Sequence, residues 1–241
     1  MHTLNPDRDE TGEDLTIAKF SSRIADEQDR TASHRLDPVD IRPITAADLE
    51  AVETLYLQVF ANTFRPAFGR RPLETQVQIH LALRQARDRP TEGILAAWED
   101  DQLVGVNLWK TAETGAVLLA DSLRALAPLG PLGILRFLLV HLTVYIRYKP
   151  AAEEAYLCGP AIAPTHRGRG IGLALMQQTE HAVREAGKTY ISALVASNNL
   201  AFRGLVQKLG YREVWIRKTP VRNWVFGESE IVRIEKPLKV N

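Results

Sequence analysis

Cysteine is nearly absent from this chain: Cys158 is the only one in 241 residues. A single thiol excludes an intrachain disulfide and any cysteine-rich zinc or iron–sulfur site, and it fits a reducing compartment. Net charge is nearly absent too. Lys and Arg number 30 against 29 Asp and Glu, a formal +1 at pH 7. No bulk electrostatic term therefore draws the chain to nucleic acid or to an anionic membrane. Met1 to Glu10 are polar and acidic, without the apolar stretch of a secretory signal, so the expected compartment is the cytoplasm. No long uninterrupted apolar run exists either. The richest stretch, Leu132 to Ile146, carries Arg136 and His141. It falls short of the roughly 20 apolar residues of a spanning helix, and a buried or half-buried helix without a membrane partner is expected.

What is present suits a globular domain: 45% hydrophobic and 24% charged residues can build a sizeable core. Residues 1–38 stand apart. They are rich in Asp, Glu, Arg, Thr and Ser with scattered apolar positions, too few to offset the entropy of ordering, and a flexible polar arm is expected. From residue 39 to 241 the pattern is that of one folded domain. Val39–Ile44 alternates as a short strand does. Thr45 and Asp48 mark a helix start, and Leu49, Val52, Leu55, Tyr56 and Val59 recur at helical spacing. A second helix fits Leu73 to Arg87. Gly93–Trp98 and Leu103–Trp109, parted by a polar turn, form a hairpin pattern. An apolar helical insertion covers about 118–148. Then follow a strand to Ile162, a helix to Ala186, a strand at Tyr190–Val195, a helix at Asn199–Leu209, and strands at Tyr211–Lys218 and Ser229–Lys236.

The densest chemistry lies at Arg167-Gly168-Arg169-Gly170-Ile171-Gly172. An apolar strand runs into three glycines within five residues, and an amphipathic helix follows. Glycines let successive backbone N–H groups face one concavity. The helix start adds free donors and a positive dipole end. Together they suit a pyrophosphate, and Arg167 and Arg169 are candidates for charge-assisted bonds to it. The dinucleotide fingerprint needs a different glycine spacing, and no Gly-Lys-Ser/Thr follows as a Walker loop requires.

Arg167-Gly168-Arg169-Gly170-Ile171-Gly172 resembles the R/Q-x-x-G-x-G/A signature of the GCN5-related N-acetyltransferases, the GNAT family. Ala161-Ile162-Ala163-Pro164 resembles the V-x-P segment before that signature. Ser197-Asn198-Asn199 and Gln207-Lys208-Leu209-Gly210-Tyr211 resemble its later N-x-x-A…Y-x-K-L-G-F stretch. The resemblance implies an α/β GNAT-type acyl-CoA N-acyltransferase fold: a central mixed, mostly antiparallel sheet flanked by helices, with the helical insertion before the signature strand. It implies acetyl-CoA as acyl donor, with no metal expected. In the family the signature strand splays from its successor and the cofactor lies in the gap. Ala161 and Ile162 would then pair with the pantetheine arm, Arg167 to Gly172 would hold the pyrophosphate, and Asn199 would face the cofactor or cap its helix. The implied reaction is direct transfer of an acetyl or short acyl group to a primary amine of a small molecule or protein. The alternative is a CoA-binding regulatory or degenerate protein without efficient catalysis.

Direct transfer needs a neutral amine, an oxyanion donor and a way for the thiolate to leave. Ile162 N–H is the candidate oxyanion donor. Glu153 and Glu154, at the start of the signature strand, are candidate bases, with Asp121 and Glu113 as alternatives. The family's general-acid tyrosine falls on Val206, which donates no proton, and its alanine position is Phe202. Tyr211, Tyr156 and Cys158 are substitute acids; a thiol with a pKa near 8.5 can also leave unaided. The Leu-rich insertion offers a wall for the acceptor or the face of a homodimer.

Overall fold

The computed structural model describes residues 39–114, 119–144 and 148–238; the expected arm, 1–38, and residues 115–118 and 145–147 of the insertion lie outside them. The strands are β1 (Asp40–Pro43), β2 (Ile94–Glu99), β3 (Gln102–Lys110), β4 (Glu154–Ile162), β5 (Tyr190–Ala196), β6 (Arg212–Lys218) and β7 (Glu230–Pro237). They form one sheet in the order β1-β2-β3-β4-β5-β7-β6. Only β4 and β5 run parallel; every other pair is antiparallel. The sheet is therefore mixed and mostly antiparallel, as the resemblance implied.

Helices α1 (Leu49–Val59), α2 (Ala61–Phe68) and α3 (Leu73–Gln85) cover one face. Helices α4 (Leu119–Leu126) and α5 (Gly130–Val144) follow β3 in sequence. Helices α6 (Ile171–Glu185) and α7 (Leu200–Lys208) cover the other face, and α8 (Pro220–Phe226) precedes β7. Strand alternation supplies both layers. Ile94, Ala96, Val106 and Leu108 pack with Val52, Leu57, Phe68 and Ile79. Leu95, Ala97 and Val104 pack with Ile171 and Leu175. A third cluster joins Leu157 and Ile191 to Met176, Val183 and Val206. Burying each such aliphatic side chain contributes about 1.5–3 kcal/mol.

Two contacts fix where α6 begins. Gly105 has no side chain, and a Cβ there would lie 2.9 Å from Ile162 Cδ1 and 3.2 Å from Ile171 Cγ2; glycine is what lets α6 and β4 close over β3 at this point. Further along, the buried Asn107 Nδ2 donates to Thr179 Oγ1 at 2.8 Å, and that hydroxyl donates to the Leu175 carbonyl at 2.8 Å.

One expectation changes and one holds. Helices α2 and α8 were not foreseen, because Pro66 lies inside α2 and Pro220 opens α8. Trp224 on α8 is 88% exposed. The insertion is helical, and α5 seats Phe137 against Phe68 at 5.5 Å between ring centroids. Leu132, Leu135 and Leu139 face outward, so the helix is half-buried, as one of the two expected states had it. Residues Ala120–Val140 have the length and composition of a membrane span.

Candidate functional site

Strands β4 and β5 pair only from Glu154–Tyr156 against Tyr190–Ser192. Beyond that both continue, β4 to Ile162 and β5 to Ala196, with no pairing between them. The cause is in β4. Leu108 pairs with Gly159 but Trp109 with Leu157, leaving Cys158 as a bulge, and Gly159 takes φ 104°. A bulge bends its strand and sharpens its twist. Pro160 follows and offers no N–H. The two strands therefore part and leave a fork open between α6 and α7.

Backbone direction follows from the ladder. Ala163 N–H donates to the Val104 carbonyl at 2.9 Å, so the N–H and carbonyl of its neighbour Ile162 face the fork. Arg167 Nε donates to that Ile162 carbonyl at 3.3 Å. The same alternation turns the backbone of Ala161 toward Val106 on β3. Ala161 thus does not offer its backbone to the fork, and Ile162 alone of the expected pair does.

The glycine turn lies at the fork's open end. Gly168 and Gly170 both take φ 80°, the left-handed region that favours glycine. Gly170 is the N-cap of α6 and no side chain caps it, so the amides of Ile171, Gly172 and Leu173 stay open to a ligand. The arginines divide. Arg167 is exposed beside the fork. Arg169 grips Glu99 through both carboxylate oxygens, one at 2.9 Å, and His166 Nε2 lies 3.1 Å from the same group. The Arg169 bond and charge hold the Glu99 carboxyl below its ordinary pKa. Arg169, expected on phosphate, instead braces the turn against the β2–β3 hairpin, and His166 joins it.

Helix α7 forms the far wall. Asn199 Oδ1 accepts from the Phe202 N–H at 3.2 Å, a helix cap. A Cβ on Gly172 would lie 3.6 Å from Leu205 and 3.8 Å from Ile162, so Gly172 sits where α6, α7 and β4 meet. Val206 is 2% exposed and packs in the core beneath.

The catalytic candidates fare differently. Glu154 lies at the closed end, 1% exposed. It accepts from the Tyr148 and Ser192 hydroxyls, from Ala151 N–H at 3.0 Å and from Arg233 Nη2 at 3.1 Å. Burial pushes its pKa up, but these bonds and the arginine outweigh it and hold the carboxyl low. A carboxylate with its lone pairs occupied is a poor base, so Glu154 ties the closed end together rather than taking a proton. Glu153 is exposed ahead of β4, where its carbonyl accepts from Thr189 N–H at 2.9 Å. Tyr211 is buried in the α6–α7 core with Lys236 Nζ 5.6 Å from its ring centre. Burial and Glu180 push its pKa up. It stands away from the fork and is not its acid. Glu113 is held to about 2, chiefly by its bond from Lys188, and Asp121 pairs with Arg124.

One of the substitute acids is open to the fork. Cys158 is exposed although its strand is central. Above it stand Tyr56, whose hydroxyl donates to the Cys158 carbonyl at 3.1 Å, and Tyr156, with Lys110 Nζ 5.2 Å over its ring. Glu154, Tyr156 and Cys158 alternate along β4, a pattern visible in the sequence once the strand is known.

A mixed sheet parted at its parallel pair, with an uncapped helix start beside the gap, defines a protein that holds an extended, phosphate-bearing ligand between two strands. The Acetyltransferase (GNAT) family model matches residues 54–211, well over half the chain, and the chain belongs to that family. Among solved structures, one acetyltransferase shares the fold with a TM-score of 0.60 at 17% identity, covering 83% of this chain and 100% of that one. The ribosomal-protein-alanine N-acetyltransferase from Brucella melitensis gives 0.55 at 20% identity, over 83% and 99%. The yncA protein of Salmonella typhimurium, solved with its cofactor acetyl-CoA, gives 0.51 at 13% identity, over 84% and 95%. No curated protein matches. The chain is thus an acyltransferase of the GNAT class, whose donor is acetyl-CoA. The open amides of Ile171 to Leu173 and the gap-facing backbone of Ile162 fit that donor.

Proposed function

We propose that the protein moves an acetyl or short acyl group from acetyl-CoA directly to a primary amine of a small molecule or protein, in the cytoplasm. The observation that carries this reading is the parting of β4 from β5 after Tyr156 and Ser192 beside an uncapped α6. In this reading the amides of Arg167 to Gly172 hold the pyrophosphate, with the Arg167 guanidinium beside them. Ile162 gives the acyl-bearing arm its N–H and carbonyl. Asn199 keeps α7 in place as the far wall.

The chemistry then asks little of protein acids. Val206 supplies none, and a thiolate with a parent pKa near 8.5 leaves readily. Glu154 is saturated, so the amine arrives neutral or gives its proton to water. Incubating the protein with acetyl-CoA and a panel of primary amines, and following release of free thiol, tests the reading. Acceptor-dependent release supports it. Tight acetyl-CoA binding with no release for any amine would point to a CoA-binding protein without transfer.

A further inference from the structure

We propose that the acceptor carries a carboxylate beside its amine, and that Arg87 and Lys110 receive it in the hollow over Cys158. The inference rests on the acetyl-transfer reading and names its substrate class.

Strand alternation places Glu154, Tyr156 and Cys158 on the face of the sheet that α1 and α3 cover. Cys158 stays solvent-exposed in the middle of a seven-stranded sheet although Tyr56 stands over it, so a hollow reaches it between its neighbours. Among the described residues, three cations act on the Cys158 thiol: Lys110, Arg84 and Arg87. Arg84 is compensated, because its Nε donates to Glu53. Glu53 is then fully engaged, with His80 Nδ1 3.1 Å from its other oxygen. Glu154 is taken up by Arg233.

Arg87 and Lys110 remain. Arg87 follows α3, its Nε is buried without a hydrogen-bond partner, and its charge neighbours besides Cys158 are Arg84, which repels it, and the engaged Glu53. Lys110 Nζ donates to the Tyr148 carbonyl at 3.0 Å and has no carboxylate partner among the described residues. Among the described residues, three cations against one carboxylate leave two positive charges around the hollow. A half-buried cation without a carboxylate partner is unfavourable unless something supplies the opposite charge.

A plain alkylammonium would be repelled from such a hollow. An amine that also bears a carboxylate would be held by it. The remaining positive field would also lower the pKa of the amine and favour its neutral, nucleophilic form. Free amino acids and acidic peptides have this chemistry.

The test uses the whole protein with saturating acetyl-CoA and matched acceptors: L-glutamate, L-methionine, L-phenylalanine and L-lysine, each against its decarboxylated amine. At least one acid should exceed its decarboxylated partner tenfold in kcat/KM. Arg87→Met should raise KM for that acid tenfold or more, with kcat within twofold, the acetyl-CoA Kd unchanged, and partial recovery in Arg87→Lys. Equal or better use of the decarboxylated amines, or an acid preference that survives both Arg87→Met and Lys110→Met, overturns the proposal and leaves acetyl transfer standing. If no amine is turned over, acetyl transfer itself fails. The hollow is then read by calorimetry on the CoA-bound protein with the N-acetylated forms of the same pairs. A tenfold preference for the acids that is lost in Arg87→Met supports the proposal, and no preference overturns it.

Discussion

The turn from Arg167 to Gly172 and the hollow over Cys158 lie at the same parted strands but are built in different ways. The turn works with backbone. Its donors are amides at the start of α6 and the Ile162 N–H, while the side chain of Arg169 is spent on Glu99. The hollow works with side chains: Tyr56 from α1, Arg84 from α3 and Arg87 just after it, Lys110 from β3, and Tyr156 and Cys158 from β4. In the proposed reading, the backbone site holds what every donor molecule shares, the pyrophosphate and the amide-bearing arm. A side-chain site is free to change with the acceptor. The difference shows how a single opening in a sheet can keep one ligand and choose another.

The strongest way to break this comparison is to damage the backbone side alone. Gly172 is the second residue of α6, lacks the positive φ of Gly168 and Gly170, and has room for a Cβ in ordinary contact at 3.6 and 3.8 Å, so Gly172→Glu should fold. A carboxylate in the first turn even favours the helix, by about 0.3–1 kcal/mol. It also puts negative charge where the pyrophosphate belongs. Acetyl-CoA affinity measured by calorimetry should fall a hundredfold or more, about 2.7 kcal/mol, with the melting temperature unchanged or slightly raised.

Next in size is the closed end that joins the two sides. Glu154→Ala leaves the Tyr148 and Ser192 hydroxyls without their acceptor, while Arg233 keeps Glu235. A buried donor left unsatisfied costs about 1–3 kcal/mol, and chemical denaturation should show a loss of about 2 kcal/mol. The acid side of the stability curve tests the floor of the hollow. Burial raises the Glu53 pKa, but His80 and Arg84 outweigh it and hold the group at about 2, against 4.5 for a free glutamate. Its contribution is therefore complete above about pH 4.5 and fades as pH falls toward 2. Denaturation midpoints in Glu53→Gln should lose most of that pH dependence. The smallest effect belongs to the brace. Glu99→Gln frees Arg169 and His166, and the acetyl-CoA Kd should rise about three- to tenfold, on the order of 1 kcal/mol. No change would mean that the turn keeps its shape without the brace.

The same contrast explains what the sequence made legible. Glycine at 168, 170 and 172 after an apolar strand and before an amphipathic helix is a local pattern, and local patterns survive in one dimension. So did the hairpin, β4, α6 and the Asn199 cap. The partners of Arg169 and Glu154 did not, because Glu99 lies 70 residues away from the first and Arg233 79 from the second. Glu154 read as a base because its position was visible and its saturating neighbours were not. Tyr211 read as an acid by proximity to a motif, whereas the turn after α7 folds it into the core. Arg87 drew no notice, since a basic residue at a helix end is ordinary until its lack of a partner is seen. The sequence left α5 as buried or half-buried, because hydropathy records composition and not which face is covered.

Amide hydrogen exchange with and without saturating acetyl-CoA puts the central claim, that acetyl-CoA lies in the parted strands against the start of α6, to its most direct test. The account expects slowed exchange in peptides spanning Leu157–Leu173 and Ala193–Asn199, with little change in α1 and α3. Protection that spares the Ile162 and Ile171–Leu173 amides at saturation, or that falls mainly on α1 and α3, would contradict it.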